Sequence, residues 1–237
     1  MPEDSTVSCY DDHARAYDAY QSAVVPGYEE MLDLVAAACC RYLGKNPRIM
    51  DLGCGTGNAS LAVLERVPAA RIFLVDGSEN MIAVAKEKIA EVAPQSIIGS
   101  RAADLSHAGW SDSLLCEEYD AVVSTLVLEH LPFDRYRSAI GQCFALLRPG
   151  GWLLAAEGYQ EEGSDMLPWF NELMETRRQR LDPQMSDNVS LLRNELEVHY
   201  YCSKEQKAAW WRDSGFEAVN VLWQYLCVAL MAGRKPE

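Results

Sequence analysis

Four carboxylates and one histidine stand where a glycine-lined turn could use them. Asp51 ends the apolar run Ile49-Met50 and leads into Gly53, Gly55 and Gly57 at alternate positions. A helix start by itself favours anions. An acid facing such a turn therefore suits a ligand carrying positive charge, such as an ammonium. Asp76 closes the run Arg71-Ile72-Phe73-Leu74-Val75. It lies about 20 residues beyond the glycines, where a carboxylate can take both hydroxyls of a ribose. Its other reading is a turn acid ahead of Gly77. Asp104 follows a third strand-like run, and Glu129-His130 follow a fourth. A histidine at the carboxyl end of a central strand can take a proton from a nucleophile, or it can serve to orient the loop.

Chemistry at these positions requires a strand, a tight turn and a helix in succession. Ile49 to Leu52 reads as the strand and Ala59 to Val67 as the helix, with Leu61, Ala62, Leu64 and Glu65 at helical spacing. Glycine belongs in the turn because a Cβ would collide with the ligand or forbid positive φ. The spacing is not the dinucleotide fingerprint Gly-x-Gly-x-x-Gly, which needs glycine at 58. Asn58 stands there and Gly57 comes one place early.

Asp51-Leu52-Gly53-Cys54-Gly55-Thr56-Gly57 instead resembles the first motif of the class I S-adenosylmethionine (SAM) dependent methyltransferases. Ala16-Tyr17-Asp18 is similar to the Tyr-Asp element that helps close the site in small-molecule members. Leu126-Val127-Leu128-Glu129-His130-Leu131-Pro132 resembles the family's fourth motif, and Leu147-Arg148-Pro149-Gly150-Gly151 is again family-like. The likeness spans Ile49 to Glu157 and Ser203 to Lys235. It implies an α/β, Rossmann-like, mostly parallel sheet of seven strands in the order 3-2-1-4-5-7-6, the last strand antiparallel, with helices on both faces. It places SAM against Tyr17, Asp51, Gly53, Cys54, Gly55, Gly57, Asn58, Asp76, Gly77, Met81, Ala103, Asp104, Leu105 and Ser124. In that frame Asp104 accepts from the adenine amino group, and its other reading is a loop acid at a strand end.

The rest of the chain reads as a single domain, 1–237, with two additions. Residues 1–45 form an N-terminal helical flap, or a surface helix whose tyrosines pack on the domain. Tyr28 to Leu43 is its amphipathic helix, stopped by Gly44. Ser78 caps a helix with Met81, Ile82, Ala85, Ile89 and Val92 inward. Arg135 to Leu147 is a further helix, Arg148 to Gly151 a turn, and Trp152 to Glu157 the fifth strand. Residues 158–202 form an inserted helical lid with helices at Asp165 to Arg180 and Ser186 to Leu196. Its arginines Arg177, Arg178 and Arg180 greet an anionic substrate or, as a solvated face, pair with Glu172 and Glu175. Trp169, Phe170, His199 and Tyr200 line an apolar pocket or pack as core. The substrate-side candidates are Tyr10, Tyr20, Glu157, Trp169 and His199. The catalytic candidates are His130 and Glu129. Ser203 and Gln206 make a capping box, and strands at Phe216 to Leu222 and Tyr225 to Gly233 form a hairpin.

Bulk properties narrow the function. A net charge of −14 argues against nucleic acid as a partner. No apolar run approaches the ~20 residues of a membrane helix, and Pro2-Glu3-Asp4-Ser5 lacks a basic, then apolar, leader. The expected location is the cytoplasm. The eight cysteines form no C-x-x-C pair, so reduced thiols and no metal are expected. A homodimer is left open. The expected reaction is methyl transfer from SAM to an oxygen, nitrogen or sulfur of a small molecule. Three rivals remain: a NAD-dependent dehydrogenase, a non-catalytic SAM-binding module, and a SAM-modifying enzyme of the carboxy-SAM synthase type. Those synthases hold a carboxylate with an arginine shortly after the Tyr-Asp element, where this chain has Tyr20 and Gln21.

Overall fold

The computed structural model describes residues 18, 20–114, 118–181 and 199–237. Its seven strands are β1 (Arg48–Leu52), β2 (Arg71–Asp76), β3 (Ile97–Ala102), β4 (Tyr119–Thr125), β5 (Leu147–Gly158), β6 (Glu217–Tyr225) and β7 (Val228–Arg234). They form one sheet in the order β3-β2-β1-β4-β5-β7-β6. The pairs from β3 through β5 are parallel, and β7 runs antiparallel to both β5 and β6. This is the expected topology.

Alternation along the central strands explains the layers. Ile49, Ile72, Leu74, Ala121, Val123, Leu154 and Ala156 point into one core, against α1 (Tyr28–Tyr42), α2 (Asn58–Arg66) and α3 (Glu79–Val92). Their neighbours Met50, Phe73, Val75, Val122, Leu153 and Ala155 point into the other, against α4 (Phe133–Leu146) and α6 (Lys204–Asp213). A sheet covered on both faces reads as continuous apolar runs, and its strand ends are left as the place for a ligand. Ser78 caps α3 by accepting from the Met81 amide at 3.0 Å.

Several local expectations are corrected. The hairpin turn lies at Leu226 (φ 50°) and Cys227, so Trp223 and Gln224 belong to β6. Arg148 to Gly151 is a bulge within β5: the β4–β5 register jumps from Tyr119↔Leu147 to Ala121↔Trp152, and the Gly150 amide donates to Lys235. Val92 is 68% exposed, as the last residue of α3, whose buried stripe ends at Ile89. α5 (Met166–Arg178) buries only Phe170. The helix expected at Ser186 to Leu196 lies outside the described residues, as do Tyr10 and Tyr17. Among the described residues no helix is long and apolar enough to cross a membrane.

Candidate active site

The three glycines of the turn do different jobs. At Gly53 (φ 71°) a Cβ would lie 2.4 Å from Val127 Cγ2, so the glycine makes room for the β4 loop. At Gly57 (φ 85°) a Cβ would come within 3.0 Å of the Ala85 Cβ, so this glycine lets α3 approach the start of α2. Gly55 (φ 49°) turns its amide onto Asp76, donating to Oδ2 at 2.8 Å. The Ser78 amide donates to the other Asp76 oxygen at 2.9 Å. Two backbone donors therefore fix the orientation of this carboxylate at the end of β2.

A second network fastens the N-terminal segment to the same loop. Asp18 accepts from Thr56, from Asn58 Nδ2 at 3.0 Å and from Lys88. Asn58 also donates to the Tyr28 hydroxyl at 3.0 Å and accepts from Lys88 at 2.6 Å. The Asp of the Tyr-Asp element thus sits on the glycine loop, although 38 residues separate it from Thr56.

These pieces enclose a cleft across the carboxyl ends of β1, β2, β3 and β4. Of the expected cofactor residues, Gly53, Cys54, Gly55, Asn58, Asp76, Gly77, Met81, Ala103, Asp104 and Leu105 line it, and His130 lines its β4 side. Tyr28, Thr56, Ala59, Ser78, Thr125, Leu126, Val127 and Leu131 complete the wall, and sequence reasoning missed them. Leu126 carried a signal only the backbone reveals. Its φ of 56° is strained for a branched side chain, as ligand-facing loops often are. Asp104 accepts from the Ser106 amide at 2.8 Å and lies 3.1 Å from His107 Nδ1.

The cleft has a marked charge preference. Asp76 and Asp104 line it, and among the described residues no lysine or arginine does. Such a wall suits a cationic nucleoside and repels a diphosphate. At its β4 edge the His130 ring meets His199 at 4.5 Å between centroids, tilted by 39°. His199 in turn stacks on Tyr201 at 5.1 Å and 12°.

Residues 49–151 match the family model of a methyltransferase domain. The chain thus carries a methyltransferase domain over these residues, and its strand order is that of the class I SAM-dependent methyltransferase fold. A carboxy-S-adenosyl-L-methionine synthase from Chromohalobacter salexigens is 26% identical, over 98% of this chain and 82% of the relative. An O-methyltransferase family protein from Burkholderia thailandensis superposes with a TM-score of 0.68 at 22% identity, covering 97% of this chain and 62% of that one. Human N-acetylserotonin methyltransferase, solved in complex with SAM, gives 0.65 at 15% identity, covering 100% and 60%. The chain thus spans about three-fifths of either solved structure, and at these identities they establish its fold.

Several expected site residues lie away from the cleft. Asp51 is 1% exposed, beneath the glycine loop, and accepts from the Ser60 hydroxyl. Burial raises its carboxyl to about 6, opposed by the Ser60 hydrogen bond and reinforced by Asp76. Gly57 faces α3, as its contact with Ala85 requires. Ser124 is turned between strands, donating to the Leu52 carbonyl at 2.9 Å.

The remaining departures cluster around β5. Glu157 is not on the substrate side: it is 1% exposed and paired with Lys207, which is itself fully buried. The Tyr136 hydroxyl donates to Glu157 at 2.8 Å, and Trp211 Nε1 donates to Tyr136 at 2.9 Å. Glu129, expected beside the reacting atoms, is 3% exposed and faces this cluster rather than the cleft. Burial, then repulsion from Glu157, raises its carboxyl to about 8, opposed by Lys207. A neutral acid there holds the turn through its backbone: its carbonyl accepts from the Tyr200 amide at 2.7 Å. Tyr20 accepts from Arg178 Nη2 at 3.0 Å, away from the cleft wall, and Trp169 is 52% exposed on α5. His199 reaches the cleft only through His130.

Proposed function

We propose that this methyltransferase holds SAM against the glycine loop and passes its methyl group to a small molecule that enters beside His130. The observation that carries this is the lining: two carboxylates, a glycine turn and, among the described residues, no lysine or arginine. When bound, SAM supplies an electrophilic methyl group on a sulfonium. Asp76, oriented by the Gly55 and Ser78 amides, takes the ribose hydroxyls. Asp104 takes the adenine amino group, and Met81 and Leu105 close on its faces. The negative wall favours the sulfonium, and His130 meets the acceptor. Asp18, seated on Thr56 and Asn58, ties the N-terminal segment to the cofactor loop, so that residues 1–45 act as a flap and 158–202 as a lid that excludes water. The acidic surface favours work in the cytoplasm on a free metabolite rather than on nucleic acid.

Two measurements test this. Calorimetry should find SAM binding and no NADH binding; the reverse overturns the reading. A metabolite extract incubated with methyl-labelled SAM should yield one labelled small molecule, and label confined to macromolecules would sink the acceptor class.

A second reading has one specific support, the carboxy-SAM synthase relative that aligns over 98% of this chain. On that reading the chain modifies SAM itself. The arginine such an enzyme needs near the Tyr-Asp element would have to be Arg178, which approaches Tyr20 from α5. Mass spectrometry of the ligand that copurifies separates the two, since a carboxylated SAM would favour the second.

A further inference from the structure

One lysine ties the N-terminal segment to the cofactor loop. Lys88, half-buried on α3, donates to Asp18 Oδ2 and, at 2.6 Å, to Asn58 Oδ1 at the start of α2. Asp18 accepts on its other oxygen from Thr56 and from Asn58 Nδ2 at 3.0 Å. The Asn58 amide is engaged at both ends, because its nitrogen also donates to the Tyr28 hydroxyl at 3.0 Å. Flipped end for end, it would set its own NH2 against the ammonium, so Lys88 fixes which way the amide points. Tyr28 and Asn58 are shared by two hollows. On one side they line the cofactor cleft, and on the other, with Asp18, they line an outer groove that also holds Leu61, Glu65 and Val92. Lys88 lines neither hollow.

Resting on the reading that SAM fills the cleft, we propose that Lys88 is a positioning residue for the cofactor: acting through Asp18 and Asn58, it holds Tyr28 and Asn58 as the wall between cleft and outer groove, and so slows the escape of SAM. Its bonds and its bare charge pull in opposite directions. SAM carries a sulfonium and an ammonium against one carboxylate, so it is a net cation and a neighbouring lysine repels it. The same ammonium sits between Asp18 Oδ2 and Asn58 Oδ1. Take it away, and two acceptors face one another with no donor between them. Asp18 then draws off or the amide turns, and the Tyr28 hydroxyl loses the donor that holds it in the wall. The Lys88 and Asp18 side chains are 27% and 31% exposed, so water and salt screen the through-space repulsion of a ligand that Lys88 does not touch. The short bonds to Asp18 and Asn58 are screened less, and they decide the sign. Loss of Lys88 therefore loosens SAM, although it removes a cation from beside a cation.

The test uses the full chain loaded with methyl-labelled SAM and chased with excess unlabelled SAM, so that retained label reports the dissociation rate. Lys88→Met keeps the side-chain length and the helix propensity. It should raise the dissociation rate about five-fold and leave the association rate within about two-fold, because the wall makes its contacts after encounter. Asp18→Asn should raise the dissociation rate by a similar factor. The double variant should go no further than the faster single one, since both changes open one clasp. Lys86→Met removes an exposed cation from the same helix and should not speed release. Slower release from Lys88→Met would show a lysine acting only as a repelling charge, and it overturns the proposal. An unchanged rate, equal acceleration in Lys86→Met, or fully additive effects in the double variant overturn it too. Calorimetry of wild type with SAM keeps the two levels apart: SAM binding with an unmoved release rate overturns the clasp only, whereas absent SAM binding overturns the reading beneath it.

Discussion

Asp51 and Glu157 both stand at the carboxyl ends of central strands and both are 1% exposed, yet they are neutralised in opposite ways. Asp51 has a neutral partner nine residues away, the Ser60 hydroxyl, and its carboxyl is pushed up to about 6. Glu157 has a buried cation 50 residues away, Lys207, with Tyr136 and Tyr159 also on its oxygens. The first arrangement is local, made within one strand–turn–helix unit that also makes the cleft. The second joins β5, α4 and α6 and lies off that cleft. A buried acid is thus cheap to keep beside the cofactor loop, where it can accept a proton. On the β5 side it is held by an ion pair whose halves depend on one another.

The comparison breaks first at the ion pair. Lys207→Met should destabilise the fold by about 3–5 kcal/mol in denaturant unfolding, because it leaves Glu157 buried without its cation. SAM affinity should change far less than stability. A loss under about 1 kcal/mol would mean that the fold does not depend on the pairing. Asp76→Ala is the complementary change: SAM affinity should fall by about 2–3 kcal/mol in calorimetry while the fold keeps its stability. Unchanged affinity would remove the ribose role.

Glu129 sharpens the contrast through pH. Its folded value of about 8 lies above the ordinary carboxyl value, so the folded chain holds the extra proton between the two. Stability from this group is complete below about 4, where both states are protonated, and is lost as pH rises to about 8. Glu129→Gln should therefore gain on wild type by more than about 1 kcal/mol between pH 5 and pH 8, read from unfolding midpoints. A parallel pair of pH curves would mean that the group is ionised in the fold. The smallest effect belongs to α5. Trp169→Ala, at a side chain 52% exposed, should stay within about 0.5 kcal/mol of wild type. A larger loss would show that α5 is covered in solution.

Residue by residue, what could be read from the chain follows the range of the forces involved. Gly53, Gly55 and Asp76 were legible because a turn and the strand end beside it are set by residues about 20 apart in a fixed unit. Val92 was misplaced because helical spacing says which residues share a face, and not how far along the helix that face stays buried. Glu129 was placed beside the reacting atoms because its motif borders the cleft. Its side chain turns instead toward Glu157 and Lys207, and only the packing of α6 on β5 brings those there. Tyr28 gave no local hint, since it reaches the cleft through the packing of α1 on α2 and its bond to Asn58.

By itself, the sequence determined the sheet, its order as carried by the motifs, and the half of the cleft built from backbone. Apolar runs bury themselves on both faces, and glycine turns need no distant partner to take their shape. The tertiary structure alone decided which acids face the ligand and which are buried in pairs, and that His199 lies against His130. Those outcomes depend on side chains dozens of residues apart losing water together, and no local pattern encodes that cost.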